Sequence, residues 1–424
     1  MKRLMFVLIL WAGLASIGAP SVAQQASAEL RRGAEQIVAL LRGEGDPATV
    51  FTSAFLQQVP AAQVRALFQQ LSAQYGAVRG LAGIEPSSAR EGVFHVDYER
   101  ALVHLTISLD PQEPRLVNGL YVTGADVRGD SLAAIMDELR ALPGQTSVAV
   151  ARLGGAEPEI LAGIEPDGPL AVGSAFKLFL LAELSRQVQA GERRWTDVVA
   201  LQPRGLPGGT LANWPAGSPI TLHSLAALMI SQSDNRATDE LLRVLGRENA
   251  ERMMTRIGVR AAERNRPMIS TAEMFALKTA SDEDHRAWVA GDEAARRRLL
   301  ATRYADPRPD ASRFTGAPNR IDSVEWFASA ADLVRTMDWL RVHGDPVAHA
   351  ILSINPAASP TLRSEFAFIG YKGGSEPGVL NFTWLVRNRA GVWHVITGSW
   401  NNPAAAVDDA RLAGPLGRAF AFIR

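Results

Sequence analysis

The sequence predicts an α+β protein of two domains, a small N-terminal α+β domain followed by a larger α/β sandwich. Three observations support this prediction. The chain has 424 residues, of which 47% are hydrophobic, enough to build two cores. Residues 29–75 place apolar side chains at helical spacing, and residues 92–122 alternate as strands do. Residues 366–400 contain three more strand-like segments after a long helical stretch.

The first 23 residues have the organisation of a secretory signal peptide. A positive end at residues 2–3 precedes an apolar stretch at 4–14, and small residues at 21–23 offer a cleavage site before Gln24. The apolar stretch is short for a bilayer span, and a retained membrane anchor is the alternative interpretation. The sequence therefore predicts removal of residues 1–23 and a secreted or periplasmic protein.

Residues 29–124 are predicted to form the N-terminal accessory domain. Its helices are predicted at residues 29–41, 47–56 and 61–75, and its strands at residues 92–98, 101–109 and 115–122. Helices followed by a short antiparallel meander make a small α+β unit. The segment contains no catalytic motif, so a ligand pocket and a spacer or docking role are both open.

A glycine- and aspartate-containing stretch at residues 124–130 marks the predicted boundary, and residues 130–424 form the second domain. Helices are predicted at residues 131–142, from just after Ser174 to about residue 189, and at residues 220–230, 237–245 and 407–422. Strands are predicted at residues 146–152, 366–371, 379–387 and 392–400. Antiparallel strands flanked by terminal helices, with a helical region inserted between them, predict an α/β sandwich beside a helical lobe.

Composition excludes several classes of function. The formal net charge is zero, which argues against a nucleic-acid partner. The chain has no cysteine, which excludes disulfides and thiolate chemistry. Seven histidines are scattered without metal-ligand spacing, so neither a metal site nor a cofactor is predicted.

Lysine is rare in this chain and therefore informative. Of 44 basic residues only four are lysines, so 44 − 4 = 40 are arginines. The lysines are Lys2, Lys177, Lys278 and Lys372. Arginine stays protonated in proteins, whereas a buried lysine can lose its proton and act as a base. A lysine retained against an arginine background is thus a candidate for proton transfer.

Lys177 lies three residues after Ser174, at the start of an apolar helix. This spacing places both side chains on one face, and the free amides of a helix N-terminus favour developing negative charge. A serine hydroxyl becomes a nucleophile when a neighbouring base takes its proton. The motif alone is weak evidence, because an ordinary helix-capping serine gives the same pattern.

Two further motifs follow at the expected places. Ser233-Asp234-Asn235 lies between two helical stretches, although these residue types also favour caps and turns. Lys372-Gly373-Gly374-Ser375 ends a predicted strand, where the glycines allow a substrate to approach the backbone closely.

With these three motifs in this order, the stretch from about residue 130 to 424 resembles the penicillin-recognising serine hydrolases, closest to class A β-lactamases. The second domain is then a β-lactamase-like α/β sandwich. The added N-terminal α+β domain resembles a two-domain subgroup that includes a protein of clavulanic-acid biosynthesis and shows esterase-like or weak activity.

The resemblance also implies roles for individual residues. Ser174 attacks the substrate carbonyl, Lys177 accepts its proton, and Ser233 relays a proton to the leaving group. Asn235 orients the substrate and the lysine, and Lys372 holds the substrate carboxylate. The Gly373-Gly374 pair lines the substrate strand, and the backbone amides of Ser174 and Ser375 form the oxyanion hole.

Two departures from the family pattern stand out. Gly373 replaces the usual threonine of the third motif, and Ser375 is the hydroxyl that could compensate. No Glu-Pro-x-x-Asn occurs between Asn235 and Lys372 to supply the deacylating glutamate. Glu263 and Glu273 lie in the right stretch, but Glu273 also completes a capping box that begins at residue 270.

Lys278 is not explained by any motif. It is predicted either to border the active site or to form a surface or structural ion pair. Residues 281–319 form a long stretch that is predicted to be a lid over the cleft or plain surface.

Three functions are compatible with the sequence. The first is a serine hydrolase that opens a β-lactam or a related ester through an acyl-enzyme on Ser174, with slow deacylation. The second is a D-Ala-D-Ala peptidase or transpeptidase acting on a peptidoglycan stem peptide. The third is an acylation sensor with little turnover. Each predicts a small-molecule or stem-peptide partner met outside the cytoplasm.

Overall fold

The computed structural model describes residues 25–113, 115–202, 209–308, 310, 312 and 316–424. The predicted signal peptide at 1–23 lies outside these residues. The chain divides into two compact units, with the boundary between Arg128 and Gly129. Helices and strands are mixed in both units, which confirms the predicted α+β class. No helix of the described residues is both long and apolar enough to span a bilayer.

The first unit packs helices on one face of an antiparallel meander. Its helices are α1 (Ala28–Leu41), α2 (Ser53–Gln58) and α3 (Ala61–Tyr75), and its strands are β1 (Val78–Pro86), β2 (Glu91–Tyr98), β3 (Ala101–Leu109) and β4 (Val117–Val127). The strands pair in the order β1-β2-β3-β4. Every second residue of β2 and β3 is buried, as Phe94 and Leu105 are, so the alternation that predicted these strands builds the core.

Strand β1 was not expected from the sequence, and β4 runs further than residue 122. Gly80 and Gly83 interrupt the alternation of β1, and its pairing register with β2 shifts at both places. Bulges of this kind remove the period of two on which strand prediction rests.

The second unit is built on a five-stranded antiparallel sheet in the order β11-β12-β13-β5-β6. These strands are β5 (Gln145–Leu153), β6 (Glu159–Ile164), β11 (Phe366–Glu376), β12 (Val379–Asn388) and β13 (Trp393–Asn401). Strand β5 pairs with β13 and so joins the two ends of the unit. Helices α4 (Leu132–Arg140) and α15 (Asp409–Ala419) pack together on one face. The edge strand β6 is mostly exposed, which hides its strand pattern in the sequence.

The opposite face of this sheet carries the helical lobe. Its helices are α5 (Lys177–Gln189), α6 (Leu222–Ser231), α7 (Asn235–Leu245), α8 (Arg247–Ile257), α9 (Thr271–Lys278), α10 (Asp282–Ala290), α11 (Glu293–Arg303), α12 (Ala330–His343), α13 (Pro346–Ser353) and α14 (Pro360–Glu365). Short strand pairs join β7 (Leu170–Ala171) to β10 (Phe327–Ala328) and β8 (Val198–Ala200) to β9 (Pro219–Thr221). Helix α5 is buried along almost its whole length, which makes it the central helix of the lobe.

Candidate active site

Ser174 lies in a tight turn directly before α5. The turn Gly173–Phe176 is a 3-10 helix that leads into Lys177, so the two side chains of the first motif are one turn apart as predicted. Gly173 has a φ of +49°, a conformation that suits glycine. The preceding residue, Val172, donates its N–H to the carbonyl of Trp326, 3.0 Å away, and the Phe176 ring stacks on the Trp326 ring with 3.7 Å between centroids. Packing therefore fixes the turn Gly173–Phe176, which carries the predicted nucleophile Ser174 and is called the nucleophile turn below.

Lys177 connects the first and second motifs. Its Nζ donates to the carbonyl of Ser233 at 2.7 Å, to Ser233 Oγ at 3.0 Å and to Asn235 Oδ1 at 2.8 Å. The side chain is fully buried. Burial lowers the pKa of Lys177 to about 7, although Asp239 and Asp234 oppose the shift. A lysine with this pKa is partly neutral at neutral pH and can accept a proton.

Ser233 has a strained backbone between α6 and α7. Its φ is +57°, which is uncommon for a residue other than glycine. Asp234 holds this turn, because its carboxylate accepts from the N–H of Ala237 at 2.9 Å and of Leu211 at 3.0 Å. The strained conformation turns the Ser233 hydroxyl toward the lysines. Strain of this kind at a candidate proton relay is typical of a functional site.

Lys372 approaches the same hydroxyl from strand β11. Its Nζ lies 3.1 Å from Ser233 Oγ and donates to the carbonyl of Gly373 at 2.6 Å. Burial, and then the like charge of Lys177, lower the pKa of Lys372 well below the ordinary lysine value. Ser233 Oγ thus lies between two lysines, and the charge of Lys177 makes Lys372 easier to deprotonate. Hydrogen bonds join Lys177, Ser233, Asn235 and Lys372 into one cluster, and Ser174 lines the same cavity as Asn235.

Strand β11 lies directly against the nucleophile turn at Gly374. A Cβ atom added there would come within 3.0 Å of three backbone atoms, among them the Ser174 nitrogen. Ser375 is the next residue, and its N–H side faces Gly173. Only glycine allows the strand to come this close to the turn. The backbone amides of Ser174 and Ser375, the predicted oxyanion hole, are therefore held on adjacent elements.

Gly373 has a separate structural reason to be glycine. A Cβ atom at this position would meet the Tyr371 hydroxyl and would lie 2.8 Å from the carbonyl of Asn381. The Tyr371 ring packs against the rings of Phe382 and Trp384. The threonine that the family carries at this position would not fit here. The side chain of Tyr371 accounts for the departure.

Glu273 is held by the start of helix α9. Its Oε2 accepts from the N–H of Ser270 at 2.7 Å, which completes the capping box, and Arg247 donates to both carboxylate oxygens at 2.7 and 3.0 Å. Asp239 accepts from the next two backbone N–H groups of the helix. Glu263, the other candidate, is exposed and pairs with Arg266. Both carboxylates have structural partners.

We expect Glu273→Gln to lower the free energy of unfolding by about 1–3 kcal/mol, because it weakens charge-assisted hydrogen bonds at a helix cap. The same change should leave the lifetime of an acyl-enzyme on Ser174 unaltered. Thermal unfolding and the decay of the adduct by mass spectrometry check the two expectations. A longer-lived adduct in a stable variant would instead make Glu273 the deacylating group.

Lys278 is buried at the end of α9, where it contacts two carboxyl groups. Its Nζ lies 3.0 Å from Glu325 Oε1, forms an ion pair with Glu376 and donates to the carbonyl of Asn319 at 3.1 Å. Burial opposes its charge, yet Glu325 and Glu376 raise the pKa of Lys278 above the ordinary lysine value. Both glutamates line the cavity that contains Ser174 and Asn235. Lys278 thus forms a structural ion pair, one of the predicted alternatives, and its two partners rather than Lys278 itself line the cavity.

Sequence reasoning did not identify Glu325 or Glu376. Glu376 directly follows the third motif, which was an available signal, whereas no pattern around Glu325 marks it. None of the residues between 281 and 319 that the structure describes lines the cavity of Ser174. Among the described residues there is also no group of three or more side chains suited to holding a metal ion.

Comparison with known proteins shows which family the second unit resembles. Residues 130–308 match the family model described as the beta-lactamase enzyme family. A β-lactamase from Sphaerobacter thermophilus is 20% identical, over 69% of this chain and 98% of that chain, with a TM-score of 0.47. A mutant of PBP-A, in an acyl-enzyme complex with penicillin G, is 16% identical over 69% and 95% of the two chains, with a TM-score of 0.48. No curated protein matches the chain.

The segment matched by the family model begins two residues after the unit boundary and contains both the Ser174 and the Ser233 motifs. Lys372 lies beyond the segment but reaches Ser233 Oγ in the structure. The predicted resemblance is thus confirmed for this unit. The predicted relationship of the first unit to the two-domain subgroup stays a prediction. The unit that begins at Gly129 is similar to the beta-lactamase enzyme family, whose model matches residues 130–308.

Proposed function

We propose that this protein is a serine hydrolase that opens β-lactams or cleaves related esters through an acyl-enzyme on Ser174. The observation that carries the proposal is the environment of Lys177. A buried lysine with a pKa of about 7, one turn from a serine, has the property that a general base needs at neutral pH.

In the proposed reaction, Lys177 takes the proton of Ser174, and Oγ attacks the substrate carbonyl carbon. The amides of Ser174 and Ser375 stabilise the negative oxygen, and loss of one such donor typically costs 10²–10³ in rate. The bond from carbon to the leaving nitrogen or oxygen then breaks. Ser233, which lies within hydrogen-bonding distance of both lysines, passes a proton to the leaving atom. Lys372 attracts the substrate carboxylate.

Slow deacylation is part of this proposal. Glu273 is engaged by the helix cap and by Arg247, so it is not available to activate water. A long-lived adduct would also suit a D-Ala-D-Ala peptidase acting on peptidoglycan stem peptides, or an acylation sensor. These are the second and third candidates, and the lifetime of the adduct separates them from a hydrolase.

Intact-mass spectrometry after mixing with a chromogenic cephalosporin or a fluorescent penicillin tests the proposal. We expect a mass increase on Ser174 that decays, with colour change beyond one equivalent of protein, and no adduct in Ser174→Ala. A persistent adduct with no more than one equivalent of colour change would favour the peptidase or the sensor. The absence of any adduct on the wild-type protein would contradict all three.

We further propose that the protein acts outside the cytoplasm, as its first 23 residues suggest. Both substrate classes are met there. After expression in a bacterial host, the mass of the exported protein should correspond to a chain that begins at Gln24. Recovery of the intact chain from the membrane would favour the anchor.

A further inference from the structure

The cluster of Lys278, Glu325 and Glu376 lies beside the nucleophile and has no role in acylation. Three separate segments supply it, namely the end of α9, the residues before β10 and the end of β11. Lys278 contacts both carboxyl groups, and Glu325 is near enough to Glu376 to help raise the pKa of its carboxyl. The side chain of Glu325 is fully buried and that of Glu376 is 13% exposed. Burial of three ionisable groups is costly in free energy, and their mutual attraction offsets this desolvation cost only in part.

Both glutamates are held to the elements that hold Ser174. Glu325 precedes Trp326, whose carbonyl accepts from Val172 and whose ring stacks on Phe176, on either side of the nucleophile. On β11, Lys372, Gly374 and Glu376 have a spacing of two and so share a face of the strand. This is the face that meets the nucleophile turn at Gly374.

The carboxyl groups share a cavity with the nucleophile. Ser174, Ser375, Glu325 and Glu376 all line it, and its volume of about 70 Å³ is sufficient for water. A carboxylate and a water molecule beside an acylated serine are the components that ester hydrolysis requires. The glutamates considered from the sequence, Glu263 and Glu273, do not line this cavity.

We infer that Glu325 and Glu376 form a dyad of carboxyl groups that, once its shared proton is lost, activates water to hydrolyse the acyl-enzyme on Ser174, with Lys278 as the residue that positions them. The inference rests on the proposed function. The deacylating group is then a pair of glutamates, one before β10 and one at the end of β11, that both contact the buried Lys278. A single loop glutamate is not required.

The chemistry of this step balances. A water molecule gives one proton to the carboxylate of the dyad, and its oxygen forms a bond with the acyl carbonyl carbon. The bond between that carbon and Ser174 Oγ then breaks, and Oγ takes the proton that the dyad holds. The products are the free carboxylic acid of the opened substrate and the serine hydroxyl, and the dyad regains its starting state.

The dyad also makes hydrolysis dependent on pH. Burial and the neighbouring Glu325 raise the pKa of Glu376 far above that of an ordinary carboxyl, although Lys278 opposes the shift. Glu325 and Lys278 are the charged groups that act most strongly on the carboxyl of Glu376. A carboxyl with a raised pKa keeps its proton at neutral pH and becomes a free base only as the pH rises. Deacylation should therefore be slow near neutrality and accelerate in alkaline solution.

The lifetime of a preformed adduct tests the inference, because an effect on acylation does not then enter the measurement. The full chain is acylated with fluorescent penicillin, freed of excess reagent and moved to buffers between about pH 6 and 10, and loss of the adduct mass is followed. We expect the wild-type adduct to decay at least tenfold faster at the alkaline end. Glu376→Gln and Glu325→Gln should each flatten this dependence and lengthen the alkaline lifetime at least tenfold.

Glu159→Gln is the matched control, since Glu159 pairs with Arg152 on the exposed edge of the sheet. Its adduct should decay as the wild-type adduct does. If either glutamine variant fails to fold, the inference is tested by the other variant and by the pH dependence of the wild-type lifetime. Unchanged adduct lifetimes in the folded variants, or a wild-type lifetime independent of pH, would overturn this inference and leave the proposed function intact. Failure of the wild-type protein to form an adduct would overturn the proposed function, and the inference with it.

Discussion

Replacing Lys177 with arginine should slow acylation of Ser174 by a factor on the order of 10²–10⁴, the usual contribution of a positioned general base. Arginine keeps the positive charge, but its guanidinium does not lose a proton in proteins. The pKa of Lys177, lowered to about 7 by burial, lets the native side chain do so. Stopped-flow fluorescence with a fluorescent penicillin gives the acylation rate directly.

The wild-type acylation rate should also rise with pH through about 7. The direction follows from the shift, because burial favours the neutral form of Lys177 and only this form accepts the serine proton. In Lys177→Arg the rise should disappear. Lys177→Met is a second variant, since it removes the base without adding bulk or charge to a buried position. Either folded variant acylating within threefold of wild type would show that another group is the base.

Lys372→Arg serves as the comparison, because its proposed role needs charge and not proton transfer. We expect it to lose less acylation than Lys177→Arg and to lose it mainly as weaker binding of substrates that carry a carboxylate. An equal loss with unchanged binding would indicate that the two lysines share the proton-transfer task. Their common contact with Ser233 Oγ makes this a fair test.

The three lysines of the second unit have different environments, and only part of this difference could be read from the sequence. Ser174 and Ser233 could be found because their motifs are local, and local spacing fixes which side chains share a turn. The helix cap at Glu273 was recognised for the same reason. Lys278 could not be explained, because its partner Glu376 lies 98 residues further along the chain and only the fold brings them together.

Strands β1 and β6 escaped sequence reasoning for related physical reasons. A bulged strand loses the period of two, and an edge strand with mostly exposed residues has no buried face to reveal it. The glycine at position 373 is similar. Its cause is the Tyr371 side chain on the same face of β11, and no sequence pattern states that this ring fills the space a threonine would need.

Gly374→Ala is the substitution at this site that we expect to act most strongly through the backbone. The added Cβ would come within 3.0 Å of the Val172 carbonyl oxygen, of the Ser174 nitrogen and of the Gly173 carbonyl carbon, which lies 2.8 Å away. Backbone atoms of a packed turn cannot rotate aside as a flexible side chain can. Strand β11 must therefore move away from the nucleophile turn.

Such a movement would separate the amides of Ser174 and Ser375. We expect acylation to fall by about 10²–10³, the cost of losing one oxyanion-hole donor, and unfolding to become easier by about 1–3 kcal/mol from overpacking. Acylation rates and thermal unfolding measure the two effects. Binding of the intact substrate should suffer less, because the substitution leaves the Lys372 side chain in place.

Gly414→Ala is the matched control, since a Cβ at this position in helix α15 meets nothing within 4 Å. It should leave acylation unchanged and stabilise the protein slightly, as alanine favours an exposed helix over glycine by up to about 1 kcal/mol. A Gly374→Ala protein that acylates as fast as this control would show that the oxyanion hole does not depend on close approach of β11. The oxyanion hole would then have to contain a hydrogen-bond donor other than the amide of Ser375.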